Sequence, residues 1–327
     1  MKILVTGSAG HLGEALMRLL HSSLHVATGV DLLPGPYTTQ VGDIADRRFV
    51  ASAVRGVDAI LHTATLHKPH VATHAKQAFV DTNITGTLNL LEEALAQGCR
   101  SLIFTSTTST FGHALVPAAG APAAWITEDV RPIPKNIYGV TKTAAEDLCE
   151  LFQRKHGLPV LVLKTSRFFP EADDSAATRA GFDDLNAKVN ELLYRRLDVE
   201  DAARAHLLAL ERAEEIGFGR YILSATSPFK RDDLQLLRTD PAEVVSRYVD
   251  FQLEYQKRGW RLFNSIDRVY DNSKARVELG WEPVHTFEHA LECLKRGASP
   301  FSELMRQIGS KGYHPGQLFE GEPFPVD

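Results

Sequence analysis

Short apolar runs alternate with longer amphipathic stretches through the first half of the chain, the pattern of strands and helices taking turns in a parallel sheet. The runs at residues 2–6, 25–30, 59–63, 101–106 and 159–165 predict strands. Helical periodicity between them predicts helices near residues 13–20, 46–54, 74–96 and 138–156. The last of these has a clear stop, because Gly157 can take a left-handed cap conformation and Pro159 forbids continuation. After Arg167 the pattern changes to a loop rich in Asp and Ala over residues 171–184, a helix over 202–213 and a further strand over 220–224. From Pro228 onward short helices and loops dominate, and the tail 309–327 holds several Gly and Pro. This predicts an α/β fold: a doubly wound parallel sheet from residues 1–166 completed by about 198–226, with a smaller, mostly helical C-terminal substrate lobe from about 167–197 and 227–327.

Composition narrows the class. Hydrophobic residues make up 44% and charged residues 24% of 327, ordinary globular usage with no internal repeat or low-complexity segment. With 36 Lys and Arg against 41 Asp and Glu the formal charge is -5, and no basic block tracks a phosphate backbone, so nucleic acid is not an expected partner. Met1 runs straight into an apolar strand pattern without a signal-peptide core, and no apolar run is long enough to span a bilayer. Cys99, Cys149 and Cys293 are scattered, with neither metal-ligand nor disulfide spacing. A cytoplasmic protein acting on a small molecule is expected, with no membrane partner.

Residues 6–13 read Thr-Gly-Ser-Ala-Gly-His-Leu-Gly, following one predicted strand and opening a helix. That context suits a phosphate-binding loop: Gly7 lets the chain turn, Gly10 lets backbone approach a pyrophosphate, and Gly13 lets helix and strand pack closely. An uncommitted glycine turn is the plain alternative. Asp31, at the end of the second strand, stands where an acid takes a ribose 2′-hydroxyl and repels a 2′-phosphate, which favours NAD over NADP. Asp43, in Gly42-Asp43-Ile44, can cap the next helix or hydrogen-bond an adenine.

Tyr138 and Lys142 are spaced i and i+4, hence on one face of one helix. Removing a proton from an alcohol near neutral pH requires a phenol with a pKa well below about 10, and a nearby ammonium together with a cationic nicotinamide would lower it. By itself this spacing is weak, but downstream of a dinucleotide loop it gains force. Residues 105–112 place several hydroxyls at the end of the fourth predicted strand, the edge where ligands of such sheets bind. One or two of them can orient a substrate oxygen, while the rest satisfy loop backbone.

In this order, the glycine loop, Asp31, Gly42-Asp43-Ile44, His62-Thr63-Ala64-Thr65, Asn83-Ile84-Thr85-Gly86-Thr87, residues 105–112, Tyr138 with Lys142, Ser166-Arg167-Phe168-Phe169 and residues 272–283 resemble the NAD-dependent epimerase/dehydratase family. This is a group of extended short-chain dehydrogenases/reductases with a Rossmann-type fold, of which UDP-glucose 4-epimerase is the best-known type. The resemblance implies NAD as cofactor, with Gly7, Gly10, His11, Leu12 and Gly13 at the pyrophosphate and Asp31, Asp43 and Ile44 at the adenosine half. It places Ala64, His67 and Phe168 along the cofactor, Tyr138 as catalytic base, Lys142 as the lysine that also holds the nicotinamide ribose, and Thr107 as the catalytic hydroxyl. Thr107, Thr108, Asn83, Arg195 and Arg196 would face a sugar-like substrate, and a homodimer through the helices around 74–96 and 138–156 is implied as well.

The sequence departs from the family in two places. The Asn that touches substrate phosphate in sugar-nucleotide epimerases is missing from Arg167-Phe168-Phe169-Pro170, and the following connection to residue 194 is short. The family Arg of the next motif aligns with Tyr194, so Arg195 or Arg196 would have to stand in with an offset. The second departure is the cluster His62, His67, His70 and His74. Its spacing could suit a metal, but Pro69 interrupts a helix there and no carboxylate or Cys is near, so histidines lining an anionic pocket are the expected reading, with no metal. Three functions follow: an epimerase that recycles NAD, a net dehydrogenase or reductase of a small non-nucleotide alcohol or aldehyde, and a non-catalytic NAD-binding protein. The set Thr107, Tyr138 and Lys142 argues against the last, and the missing anchor favours a polyhydroxylated substrate without a nucleotide.

Overall fold

The computed structural model describes residues 1–312. Its strands are β1 (Lys2–Thr6), β2 (Val26–Asp31), β3 (Gln40–Val41), β4 (Ala59–His62), β5 (Ser101–Thr107), β6 (Ala124–Ile126), β7 (Val160–Thr165), β8 (Phe218–Leu223) and β9 (Arg268–Tyr270). Seven of them form one sheet in the order β3-β2-β1-β4-β5-β7-β8, with every pair parallel. The chain starts in the middle, winds outward to β3, and returns to wind the other way, which leaves a crevice at the C-terminal ends of β1 and β4.

Alternation along the strands builds a core on each face, because successive side chains point to opposite sides. Ile3, Val5, Leu61, Ile103, Leu161 and Leu163 go to one face, where they pack under α1 (His11–His21) and, further along the chain, the helix Val199–Ile216. Leu4, Ile60, Leu102, Phe104, Val160 and Val162 go to the other, under α2 (Arg47–Ala53), α4 (Gly86–Ala96) and α5 (Ile137–His156), with α3 (Lys76–Phe79) preceding α4. Gly157 does take the left-handed conformation at the end of α5.

The helix expected over 74–96 is interrupted. Between α3 and α4 the chain makes a π-helical turn, Val80–Thr85, whose wider spiral turns Asn83 into the protein. The helices that follow are α6 (Ala176–Gly181), α7 (Asp184–Glu191), α8 (Val199–Ile216), α9 (Pro241–Ser246), α10 (Gln252–Arg258), α11 (Ser273–Leu279), α12 (Phe287–Lys295) and α13 (Glu303–Ile308). Of these, α7, α9, α10 and α12 share a separate apolar cluster around Val189, Leu192, Leu237, Val269, Phe287 and Leu291, whereas α8, α11 and α13 pack into the core that holds α1.

Buried carboxylates fasten the C-terminal segments to α8. Asp201 accepts from the backbone of Val284 (3.1 Å) and His285 (2.9 Å), while Trp281, almost fully buried, donates its indole N–H to the Asp201 carbonyl at 3.0 Å. Asp198 caps α8 and also binds Ser302, at 2.6 Å to its hydroxyl. β9 pairs in parallel with β6 as a second, two-stranded sheet, Trp125 opposite Val269. Neither strand was expected, because three residues are too few to show a period.

Candidate active site

A cavity of about 720 Å³ runs along the C-terminal edge of the main sheet. At one end it is lined by Gly7, Gly10, His11, Leu12 and Gly13, then by Asp31, Asp43 and Ile44, then by Ala64, His67 and Phe168. Gly7 has φ +75°, open to glycine at little cost, and its N–H is held by the Val30 carbonyl at 2.8 Å. Gly10 caps α1 without a side chain, so the first-turn N–H groups and the positive end of the helix are left to an anion from outside. Gly13 sits so close to the loop that a Cβ there would lie 1.9 Å from the Gly7 carbonyl oxygen. Asp31 accepts from the N–H of Ala9 and of Leu33, both at 2.9 Å, and so ties the second strand to the glycine loop. Turn, open helix end and acid together fit a dinucleotide.

The chemistry-bearing residues stand over the ends of β5 and β7. Thr107 is the last residue of β5, and Tyr138 lies in the first turn of α5, which is capped by Asn136. Both residues line the cavity beside Thr108, with the Thr107 side chain near enough to the phenol to act on it. Burial pushes the Tyr138 phenol up to about 12, with the Thr107 side chain opposing the rise. The lowered phenol expected from sequence is therefore not produced by the protein's own groups. Lys142 explains why: it lies beneath the cavity lining, its ammonium donating to the Thr105 carbonyl at 2.7 Å and resting 4.0 Å over the Phe104 ring. Burial, opposed by the charge of Glu146, draws this lysine down to about 7.

Two expected substrate contacts are corrected. Asn83 does not line the cavity. Its amide accepts from the Leu66 N–H (2.9 Å) and donates to the Leu66 carbonyl (3.0 Å) and to Thr141 (3.0 Å), so it joins the loop after β4 to α5 and sets the position of Tyr138 through Thr141. Arg196 is fully buried, paired with Glu191 at 2.7 Å and donating to the Phe169 carbonyl at 3.0 Å, which removes it from any ligand. Arg195 does line the cavity. Of the histidines, His62 is buried between Thr6 (2.8 Å) and Thr87 (2.9 Å), whereas His67 and His70 line the cavity with rings 4.3 Å apart. His74 packs on His70.

Several lining residues had no signal in the sequence. Lys311 and Gly312 reach the glycine-loop end, where their N–H groups and His11 Nε2 all converge on Glu171 at 2.9 to 3.0 Å, and Lys311 also binds Glu14 of α1 at 2.6 Å. Contacts that span so much of the chain leave no local pattern. Arg268 and Tyr270 enter from β9. They flank Val269, which turns to the core, and a strand of three residues is too short for that alternation to be read from the sequence.

Residues 3–223 match the sequence model of the NAD dependent epimerase/dehydratase family. The chain belongs to this family. It is accordingly an NAD-dependent enzyme, and its parallel sheet with flanking helices is the family's Rossmann-like architecture. Among its relatives, a UDP-glucose 4-epimerase of Lactobacillus helveticus is 25% identical over 319 residues, covering 87% of this chain and 93% of the relative. A uronate dehydrogenase of Pseudomonas putida is 28% identical over 204 residues, 59% of this chain and 71% of the relative. A UDP-glucuronic acid 4-epimerase from Bacillus cereus, solved in complex with NAD, superimposes with a TM-score of 0.63 at 21% identity over 94% of this chain and 99% of that one, a likeness of fold. Among the described residues, no helix is long and apolar enough to cross a membrane.

Proposed function

We propose that the protein oxidises a hydroxyl-bearing carbon of a small, sugar-like substrate without a nucleotide, with Tyr138 as the base. The observation that carries this reading is that the Tyr138 and Thr107 side chains stand together in the cavity lining. A substrate hydroxyl seated between them meets one group that orients its oxygen and one that takes its proton. NAD, when bound against the glycine loop, supplies the hydride acceptor and a positive ring. Because burial holds the phenol at about 12, proton removal at neutral pH depends on the positive ring that bound NAD would bring beside it, since Lys142 is held under Thr105. Asn83 and Thr141 keep this helix turn in register with the loop after β4. In this reading residues 1–166 with about 198–226 carry the cofactor, and the remaining segments frame the substrate.

The absence of a nucleotide is supported by the segment after β7. It lacks the epimerases' Asn, and it is occupied with itself: Arg167 pairs with Asp174 at 2.8 Å and Arg195 with Asp173 at 2.8 Å. The uronate dehydrogenase relatives point the same way. A second reading, re-reduction of the keto product to give net epimerisation, is favoured by the epimerase relative that matches 87% of the chain. Product analysis with catalytic and then stoichiometric NAD separates them. Net oxidation needs stoichiometric NAD and forms NADH; inversion of a UDP-hexose at catalytic NAD without NADH would overturn the proposal.

A further inference from the structure

Donors from the two ends of the chain meet on one carboxylate oxygen beside the glycine loop. Glu171, in the segment after β7, accepts on Oε1 from His11 Nε2 (3.0 Å), the Ser310 hydroxyl (2.9 Å), the Lys311 N–H (2.9 Å) and the Gly312 N–H (3.0 Å). A second tie lies next to it, where Lys311 Nζ reaches Glu14 in the first turn of α1 at 2.6 Å. Residues 310–312 are thus bonded at once to the segment after β7 and to α1. Lys311 and Gly312 also line the cavity at the same end as Gly10, His11 and Gly13.

The element before this segment is fixed, and the segment itself is not. Leu304 and Met305 of α13 are buried in the core that holds α1, and Arg18 of α1 donates to Gln307 at 3.3 Å. Past α13 the chain leaves through Gly309 at φ +64° and reaches Gly312 at φ +69°, and a Cβ on either would meet nothing within 4 Å. Glycines so placed absorb backbone rotation at little cost. Ser310, Lys311 and Gly312 are exposed, so polar bonds hold them rather than apolar burial. Segments held in this way open far below the cost of global unfolding.

We propose that residues 310–312 form a strap that closes the pyrophosphate end of the cavity, with Glu171 as its latch, and that NAD(H) enters and leaves only when the strap opens. Opening releases Ser310, Lys311 and Gly312 from Glu171 while α13 stays on α1. On the net-oxidation reading given above, NADH leaves at every turnover, which puts this motion on the catalytic cycle.

The test reads cofactor exchange without any substrate, so its outcome is independent of whether the protein performs net oxidation. NADH association, and NADH release into excess NAD, are followed by stopped-flow fluorescence for the wild-type chain, Glu171→Gln and Lys311→Met. A gate passes ligand in both directions, so weakening its latch raises both rates by a like factor and leaves the affinity within about threefold. Glu171→Gln, which takes the charge out of four hydrogen bonds, should raise both rates by about 10-fold or more. Lys311→Met removes one partly exposed ion pair and leaves His11 untouched, and should raise both by about two- to fivefold. Wild-type association should fall well below the about 10⁸ M⁻¹s⁻¹ open to a freely accessible site. Association at that rate overturns the strap, and this measurement stands even if the variants do not fold. Faster release with unchanged association also overturns it, since the strap is then a contact to bound NADH and not a gate. So does an absence of change in either rate in both variants.

Discussion

Replacing Gly13 with Ala places a methyl group 1.9 Å from the Gly7 carbonyl oxygen, 2.6 Å from its carbon and 2.9 Å from Ser8 Cα. All three are backbone atoms, so the glycine loop has to move by roughly 1 Å to reach tolerable contact. It is not free to do so, because Gly7 and Ser8 donate to the Val30 carbonyl at 2.8 and 3.2 Å and Ala9 donates to Asp31 at 2.9 Å. Overpacking of this kind costs about 1–3 kcal/mol of stability. Misplacing even one N–H aimed at a pyrophosphate removes a charge-assisted bond, which weakens NADH binding by about 10- to 100-fold. Gly10→Ala is the control. Its Cβ would meet only the Gly7 oxygen at 3.2 Å, so it should unfold near the wild-type temperature yet bind NADH less tightly, since the methyl lies where the cofactor approaches. Thermal unfolding and NADH titration of both variants separate packing from binding. A Gly13→Ala protein with wild-type melting temperature and wild-type NADH affinity would refute the close helix-strand contact and the loop's role together.

Further outcomes follow from the same geometry. NADH should bind more tightly than NADPH, and Asp31→Ala should narrow the gap by about 10-fold, the effect of removing one partly exposed like charge. Because Asp31 also holds Ala9 and Leu33, that variant should bind NADH itself more weakly; calorimetry with both cofactors checks this, and an equal or reversed wild-type preference contradicts it. Burial raises the Glu171 carboxyl, but the hydrogen bond and charge of His11, with backbone N–H groups, outweigh it and hold the group at about 2 against an ordinary 4.5. A depressed acid stabilises the fold above its unfolded pKa, so the benefit, at most roughly 3 kcal/mol, is present above pH 4.5 and is lost as pH falls towards 2. Glu171→Gln should flatten acid unfolding over that window, and an unchanged profile would show that the His11 contact is not formed.

What sequence could convey depended on range. The glycine loop, its flanking strands and the spacing of Tyr138 and Lys142 are written in a few consecutive residues, and they fold where the pattern places them. The π turn at Val80–Thr85 was not legible, because one extra residue in a helical spiral hardly alters the apolar period. Arg195 and Arg196 are neighbours of one type that both pair with Glu191, and only packing decides that the first faces the cavity while the second is fully buried against the Phe169 carbonyl. The direction of the Tyr138 shift needed depth of burial, which spacing does not contain. Lys142 has the expected spacing but turns its ammonium to the Thr105 carbonyl, a partner set by the end of β5. Residues 313–327, most of the Gly- and Pro-containing tail, lie outside the described residues.

The central claim is that Tyr138 performs proton transfer for NAD-dependent oxidation of a sugar-like alcohol. Its most direct test is NADH formation by the wild-type protein and by Tyr138→Phe, measured side by side on the best substrate among free and nucleotide-linked sugars, with NADH affinity determined for both. The phenylalanine ring keeps the packing of a residue that is only 7% exposed, so cofactor binding should stay within about threefold while turnover falls by about two to four orders of magnitude. Turnover by Tyr138→Phe at the wild-type rate would contradict it.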